Sequence, residues 1–464
     1  MAIHQQLLLR VLCEKQRKES PMDHGQLSMV ADKFQWVFSE ALLNGCGTAV
    51  KFCRRQRVIT PFRLGLALTA TCASQRVETI ADFHCGFNAL FGTTVTYKAF
   101  YNQVAKPHFA DFARTMAQRL ISDMTLKGLG FEKGRALSEF RHIVMQDGSS
   151  FAIHDGLREV FPGRFKAIKP AAVELHTTMD LLCDAPTTVV LTPDTTSEQA
   201  FLPEPPSLRD SLLLADRGYV DLHYLRRVQD EGGFFLIRAK AGMNPQVLEA
   251  FRADGKRLRS LRNKSLQTIH AKLPKRQRVE LGVQWQIDGH PLCLRLILSW
   301  NPRTKSFCYF LTNLPAQRYP LEVICRAYKW RWQVELLFKE WKSYANLHAF
   351  DTANPALVEG LIWAAIAAAA LKRFLAHMTQ LLMEVPISTR KVAMCALHVL
   401  GDLVEALKYG DVVGLYTALV AAITYLACHA RRAHPERDRQ TGRSQLGLEP
   451  CFENDDAIEF AEAA

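Results

Sequence analysis

The sequence predicts an α/β protein: a mixed-sheet core interrupted by a β-rich insertion, with helical N- and C-terminal regions. Three observations predict it. Between 139 and 225, short apolar runs of strand length end in small-residue turns, with helical residues among them. Between 226 and 318 further strand-like runs crowd together around a strongly basic stretch. On either side, apolar residues recur at helical spacing.

At 464 residues the chain is long enough for two or three domains with cores of their own. A hydrophobic content of 48% argues against a disordered chain. The net charge of +12 suits a polyanionic partner such as DNA, RNA or an anionic membrane surface, although a basic soluble protein fits it equally. The twelve cysteines are scattered and form no Cys-x-x-Cys pair, which excludes the spacing of a zinc ribbon or a thioredoxin-like motif. Most sit in apolar surroundings, so we expect free thiols and a reducing, cytoplasmic setting. The first residues lack the layout of a signal peptide. The longest apolar run, 360–371, is shorter than the roughly 18–20 residues of a spanning helix, so we expect a buried core helix and no membrane.

Residues 1–138 read as a helical region suited to binding DNA. The spacing predicts helices over 29–43 and 109–125. Between them, helices over 76–90 and 96–104 flank a turn at Phe91-Gly92-Thr93-Thr94. That is the outline of a helix-turn-helix, and its second helix would expose Lys98 and Asn102 to phosphates or base edges. An ordinary helical hairpin has the same outline.

The core's first part spans 139–225. Strands are predicted at 141–146, 172–182, 187–191 and 211–215. The first ends at Asp147-Gly-Ser-Ser and the fourth at Asp216-Arg-Gly-Tyr, so each delivers an aspartate to a sheet edge, where α/β proteins often build sites. Asp commonly caps helices and starts turns, so either residue alone says little. Asp155, Asp180, Asp184 and Asp221 compete, but they lack this combination of strand and turn.

Residues 226–318 read as the insertion, with strands at 233–240, 278–287, 292–300 and 306–312. Within it, Lys and Arg crowd positions 252–278, Arg257, Arg259, Arg262 and Lys264 among them, and only Asp254 opposes them. Such density favours a surface that tracks phosphates over a merely solvated loop. The core's second part, 319–385, contains the most informative stretch, 328–342. Tyr328, Arg331, Glu335 and Lys342 lie at steps of three, four and seven. At about 100° per residue they share a sector of roughly 60°. Trp330, Val334, Leu337 and Trp341 form a separate apolar stripe. A carboxylate flanked by phosphate-binding groups suits a metal-dependent enzyme acting on phosphodiesters, whereas a surface ladder of ion pairs would explain the charges alone. Residues 386–464 read as a helical C-terminal region, basic over 431–443 and ending in an acidic tail.

Asp147, Asp216 and Glu335 offer oxygen donors without His or Cys, a set that suits Mg²⁺ or Mn²⁺. Two such ions would activate a water or a 3′-hydroxyl. Arg331 and Lys342 would contact phosphate oxygens, and Tyr328 would donate a hydrogen bond.

These residues resemble the DDE transposases of the insertion-sequence-four type, whose signature is Tyr-x2-Arg-x3-Glu-x6-Lys. Tyr328, Arg331, Glu335 and Lys342 match it at every position, and the stretches around Asp147 and Asp216 look like the family's first and second acidic motifs. The resemblance covers roughly 140–345. It implies a ribonuclease-H-like core, with Asp147, Asp216 and Glu335 as a catalytic triad holding two Mg²⁺ ions. It further implies cleavage at transposon ends, joining of the 3′-hydroxyl to target DNA, and a homodimer or higher synaptic complex working in a bacterial cytoplasm. Some relatives place a tryptophan on the last strand of the insertion, where it stacks on a flipped base. This chain has Phe307-Cys-Tyr309-Phe there, and core packing explains those aromatics more simply. A nuclease of the same fold that does not join ends, or a DNA-binding relic without activity, remains open from the residues alone.

Overall fold

The computed structural model describes residues 24–433 apart from 54, 56, 75–76, 125–138, 241, 276, 303, 348–349 and 351. The basic and acidic stretches expected beyond 433, and Arg276, lie outside the described residues.

Six helices come first: α1 (His24–Val37), α2 (Glu40–Ala49), α3 (Pro61–Ser74), α4 (Ile80–Phe91), α5 (Tyr97–Val104) and α6 (Phe109–Asp123). The helix expected over 29–43 is in fact two. Ser39 takes an extended backbone and its hydroxyl accepts from the Leu42 N–H, so it caps a new helix where the apolar spacing alone runs on. Helix α4 starts at a capping box, in which the Asp82 carboxylate accepts from the Thr79 N–H at 2.8 Å. It stops at Gly92, whose φ of 59° is left-handed and cheap only for glycine.

One nine-stranded sheet forms the centre, in the order β3-β2-β1-β4-β5-β9-β8-β7-β6. Strands β1 (Ile143–Ala152), β2 (Ala172–Asp180) and β3 (Ala185–Pro193) form an antiparallel meander. Strand β4 (Leu212–Ala215) pairs in parallel with β1 and with β5 (Phe234–Arg238), and α7 (Leu222–Asp230) makes the crossover between β4 and β5. These five strands are a ribonuclease-H-like core. The sequence assigns β5 to the insertion, but its pairing with β4 puts it in the core sheet. Its apolar residues Phe235, Leu236 and Ile237 are buried, as suits a strand flanked on both sides by β4 and β9.

The remaining strands, β6 (Gln246–Arg252), β7 (Val279–Ile287), β8 (His290–Asn301) and β9 (Ser306–Thr312), extend the same sheet. Strand β9 joins them to β5. Alternation sorts the core residues to two faces. Leu212 and Leu214 of β4 join the cluster packed by the terminal helices. Leu213 and Ala215 join the cluster with α7 and the insertion.

After β9 the chain returns through α8 (Leu321–Tyr328), a 3₁₀ turn (Lys329–Arg331) and α9 (Trp332–Tyr344). The predicted helix over 328–342 is therefore broken at its start. Next come α10 (Pro355–Met383), α11 (Thr389–Cys395), α12 (Leu400–Tyr409) and α13 (Val412–His429). Asn354 caps α10 by accepting from the Leu357 N–H at 3.0 Å, and Pro355 occupies its first turn. Helices α10 and α13 are long and apolar enough to cross a bilayer, contrary to the length of the uninterrupted apolar run. In α10, however, 78% of the most apolar window is buried inside the protein, the placement of a core helix.

Close packing around α10 gives a signed prediction. A Cβ on Gly360 would overlap the ring of Phe109, which is fully buried on α6. A Cβ on Gly401, exposed on α12, would meet nothing. In urea unfolding, Gly360→Ala should lower stability by about 1–3 kcal/mol through overpacking. Gly401→Ala should raise it by about 0.5–1 kcal/mol through helix propensity. Equal effects at the two positions would refute this packing.

Candidate active site

Register brings the first two acidic residues together. Strand β1 runs parallel to β4 as far as the pair Gln146–Ala215. One step further along each chain stand Asp147 and Asp216. The sequence places Asp147 at the end of its strand. It lies instead in mid-strand, because β1 outlasts β4 and continues to Ala152 against β2. Asp216 does end β4, and it begins a 3₁₀ turn through Tyr219.

The third acidic residue comes from α9. Trp330, Val334, Leu337 and Trp341 are all buried, as their spacing predicts, and they seat α9 on the core. Trp332 points outward and is 56% exposed. Behind α9 a buried ion network braces the helix. Arg373 of α10 contacts Glu340 of α9 at 2.7 Å and Asp184 of the β2–β3 turn at 2.6 Å, while His377 meets Asp184 at 2.9 Å. With its buried stripe anchored, α9 presents Glu335 and Lys342 outward.

Asp147, Asp216, Glu335, Arg331 and Lys342 all line one open cavity of about 510 Å³, together with Gly148 and Ser149. The Arg331 guanidinium spans two of the carboxylates. One arm donates to Asp147 Oδ2 at 2.8 Å and the other to Glu335. The Tyr328 hydroxyl donates to Asp216 Oδ1 at 3.2 Å, and its ring lies below the guanidinium carbon at 5.9 Å. Lys342 Nζ donates to the Ser150 carbonyl at 2.9 Å.

Burial pushes the Asp147 carboxyl up to about 6, although Arg331 and the Gly148 N–H oppose the rise. Burial likewise lowers the Lys342 ammonium, with Lys169 adding repulsion. The donor set is all oxygen and opens onto a single cavity, which fits a hard divalent cation in type and place. Among the described residues, however, no three His, Cys, Asp or Glu groups stand close enough to share one ion. Asp147, Asp216 and Glu335 are the residues that could hold one once they draw together.

A second cavity of about 560 Å³ adjoins the other side of Asp216. Arg217, Arg238, Lys240, Glu198, Phe307 and Tyr309 line it. Phe307 and Tyr309 are packed into the insertion core at 8% and 3% exposure, as expected, yet both reach this cavity. Sequence reasoning missed Arg238 and Lys240. Their signal was present: β5 is parallel to β4, so its end emerges at the same sheet edge as Asp216.

The expected DNA-contacting residues divide by place. Lys98 and Asn102 are exposed on α5, whose N-cap is Thr96. Arg257, Arg259 and Arg262 are exposed, and Lys264 is half-buried with Nζ on the Ser260 carbonyl. None of these lines the acidic cavity. The basic stretch is tethered over the insertion by buried Leu261, Leu266, Ile269 and Leu273. His270, within that stretch, contacts the Tyr309 hydroxyl at 2.7 Å and so links it to the second cavity.

A nine-stranded mixed sheet that brings two strand-borne aspartates and a helix-borne glutamate to one cavity defines a protein of the DDE class. Residues 141–371 match the family model described as "Transposase DDE domain". The transposase for insertion sequence element IS231F of Bacillus thuringiensis subsp. israelensis is 21% identical over 375 residues, covering 72% of this chain and 77% of that protein. The IS231E transposase of Bacillus thuringiensis subsp. finitimus is 22% identical, covering 70% and 74%. A shorter match, 41% identical over 61 residues, joins 13% of this chain to 16% of the putative transposase InsL for IS186A of Escherichia coli (strain K12). Among solved structures, the cryo-EM structure of the piggyBac transposase synaptic complex with hairpin DNA aligns over 89% of each chain, at 11% identity and a TM-score of 0.45. The chain belongs to the DDE transposase family, of the insertion-sequence-four type.

The far side of β1 yields a pH prediction. Glu174 of β2 is buried there, against Gly148, where a Cβ would come within 2.6 Å of its carboxylate. Burial, then repulsion from Glu198, raises it from 4.5 to about 7, and Arg164 at 3.3 Å only partly compensates. The folded state therefore holds this proton more tightly than the unfolded chain. Its penalty is absent below pH 4.5 and grows as pH rises to 7. Glu174→Gln should gain on the wild type by about 1–3 kcal/mol between pH 4 and pH 8 in chelator-treated denaturation series. A constant difference across that range would contradict the assignment.

Proposed function

We propose that this transposase cleaves the ends of its element and joins the freed 3′-hydroxyl to target DNA, with Asp147, Asp216 and Glu335 holding two Mg²⁺ ions for which Mn²⁺ can substitute. The observation that carries this reading is the cavity itself: carboxylates from three distant segments open onto one space beside a guanidinium and an ammonium. Bound there, two divalent ions supply an activated hydroxyl or water and stabilise the leaving oxygen of an in-line displacement.

The chain's own residues do the positioning. Helix α9 sets Glu335 across from the β1–β4 edge, and Tyr328 orients the Asp216 carboxylate by its hydrogen bond. Lys342, held at the cavity rim by the Ser150 carbonyl, neutralises phosphate charge near the scissile bond. Arg238 and Lys240, beside Asp216, extend the positive lining along the strand to be cut. The exposed residues Arg257, Arg259, Arg262, Lys98 and Asn102, together with Lys264, track the duplex further out. A homodimer or larger complex would hold paired ends.

The test uses a labelled duplex end and, separately, the same end pre-cut to leave a 3′-hydroxyl. Asp147→Asn, Asp216→Asn and Glu335→Gln should each lower Mg²⁺-dependent cleavage and joining by at least about 10³-fold. End binding in gel shift should survive. Cleavage without any joined product from the pre-cut end would make the protein a nuclease of the same fold. Binding with no metal-dependent chemistry in the wild type would make it a DNA-binding relic.

A further inference from the structure

We propose that Arg331 is an internal counter-cation that latches Asp147 and Glu335 together and is exchanged out of the site when divalent metal binds. This rests on the reading of the three carboxylates as the metal site.

Several observations converge on it. The guanidinium makes one contact to Asp147 Oδ2 and another to Glu335, so it occupies oxygens that a shared ion would need. Its side chain is only 14% exposed, so these contacts are largely shielded from water and are stronger than a surface pair. The two arms of the guanidinium thus tie together carboxylates from β1 and α9, which are far apart in sequence.

The backbone is suited to a change of position. Arg331 lies on the 3₁₀ turn between α8 and α9, and a 3₁₀ stretch between helical segments often marks a hinge. The Arg331 Nε–H is buried and has no acceptor, so the latched position leaves one donor unused. A phosphate oxygen beside the cavity would satisfy it. In the proposed exchange Arg331 releases two carboxylate oxygens to divalent cation and turns its planar fork to the DNA backbone, a geometry it matches well. The site thus stays neutralised until metal arrives, and the arginine becomes available for phosphate at that moment.

The exchange predicts competition between Arg331 and metal in the DNA-free protein. Mn²⁺ affinity, read by electron paramagnetic resonance titration, should tighten in both Arg331→Gln and Arg331→Lys, by about 5- to 150-fold. The lysine variant is decisive. It keeps the charge but cannot bridge two carboxylates as a fork does, so simple through-space repulsion predicts wild-type affinity for it. A second measurement needs no variant. Phenylglyoxal labelling of the wild type, mapped by peptide mass, should modify Arg331 faster with Mn²⁺ than with chelator.

An unchanged or tighter-protected Arg331, or an Arg331→Lys protein with wild-type affinity, would overturn the latch. If the wild type binds no Mn²⁺, or Asp147→Asn binds it equally well, the metal-site reading itself fails. Mn²⁺ binding that depends on Asp147 but is indifferent to Arg331→Lys defeats the latch alone.

Discussion

Three carboxylates opening onto one partly desolvated cavity repel one another and lose hydration, and the protein has to offset both effects. Asp147 registers the conflict most clearly: burial, then Glu335 and Asp216, drive its carboxyl upward against Arg331 and a backbone N–H. The guanidinium between Asp147 and Glu335, and the Tyr328 hydroxyl on Asp216, are what make the arrangement tolerable as it stands. Both come from the segment that also leads into Glu335. The acidic residues and their compensating partners are thus built as one unit across the join of α8 and α9.

The scaffold serves that unit from both sides. The parallel pairing of β1 with β4 fixes Asp147 beside Asp216, and a one-residue slip would turn either side chain to the opposite face. On the other side, α9 is held by its tryptophan stripe and by the buried Arg373–Glu340 and Arg373–Asp184 pairs. Breaking a buried pair of this kind leaves an uncompensated charge, so the brace resists rotation of α9. The insertion does not stand apart. Because β9 pairs with β5, its strands continue the core sheet, and Phe307 and Tyr309 reach the cavity beside Asp216.

Much of this was legible in the sequence where local pattern decides the outcome. The stripe of Trp330, Val334, Leu337 and Trp341 specified the buried side of α9, strand-and-turn context together with the family resemblance pointed to Asp147 and Asp216, and helical spacing pointed to Glu335. What escaped depended on partners distant in sequence. Asp147 sits in mid-strand because β2 continues to pair beyond the reach of β4. Strand β5 belongs to the core because β4 flanks it. The break at Ser39 and the 3₁₀ turn before α9 interrupt apolar patterns that periodicity alone would carry through. The Arg331–Glu335 pair is the ion pair that helical spacing allows, whereas the contacts of Arg331 to Asp147 and of Lys342 to the Ser150 carbonyl depend on β1 and are not readable from the motif.

The central claim is that the three acidic residues form one metal site. Anomalous scattering at the manganese edge, from crystals of the protein with a pre-cut end duplex and Mn²⁺, tests it most directly. Two peaks about 3.5–4 Å apart, ligated by Asp147, Asp216 and Glu335, are the predicted result. Manganese bound elsewhere, or touching only one of the three carboxylates, would contradict it.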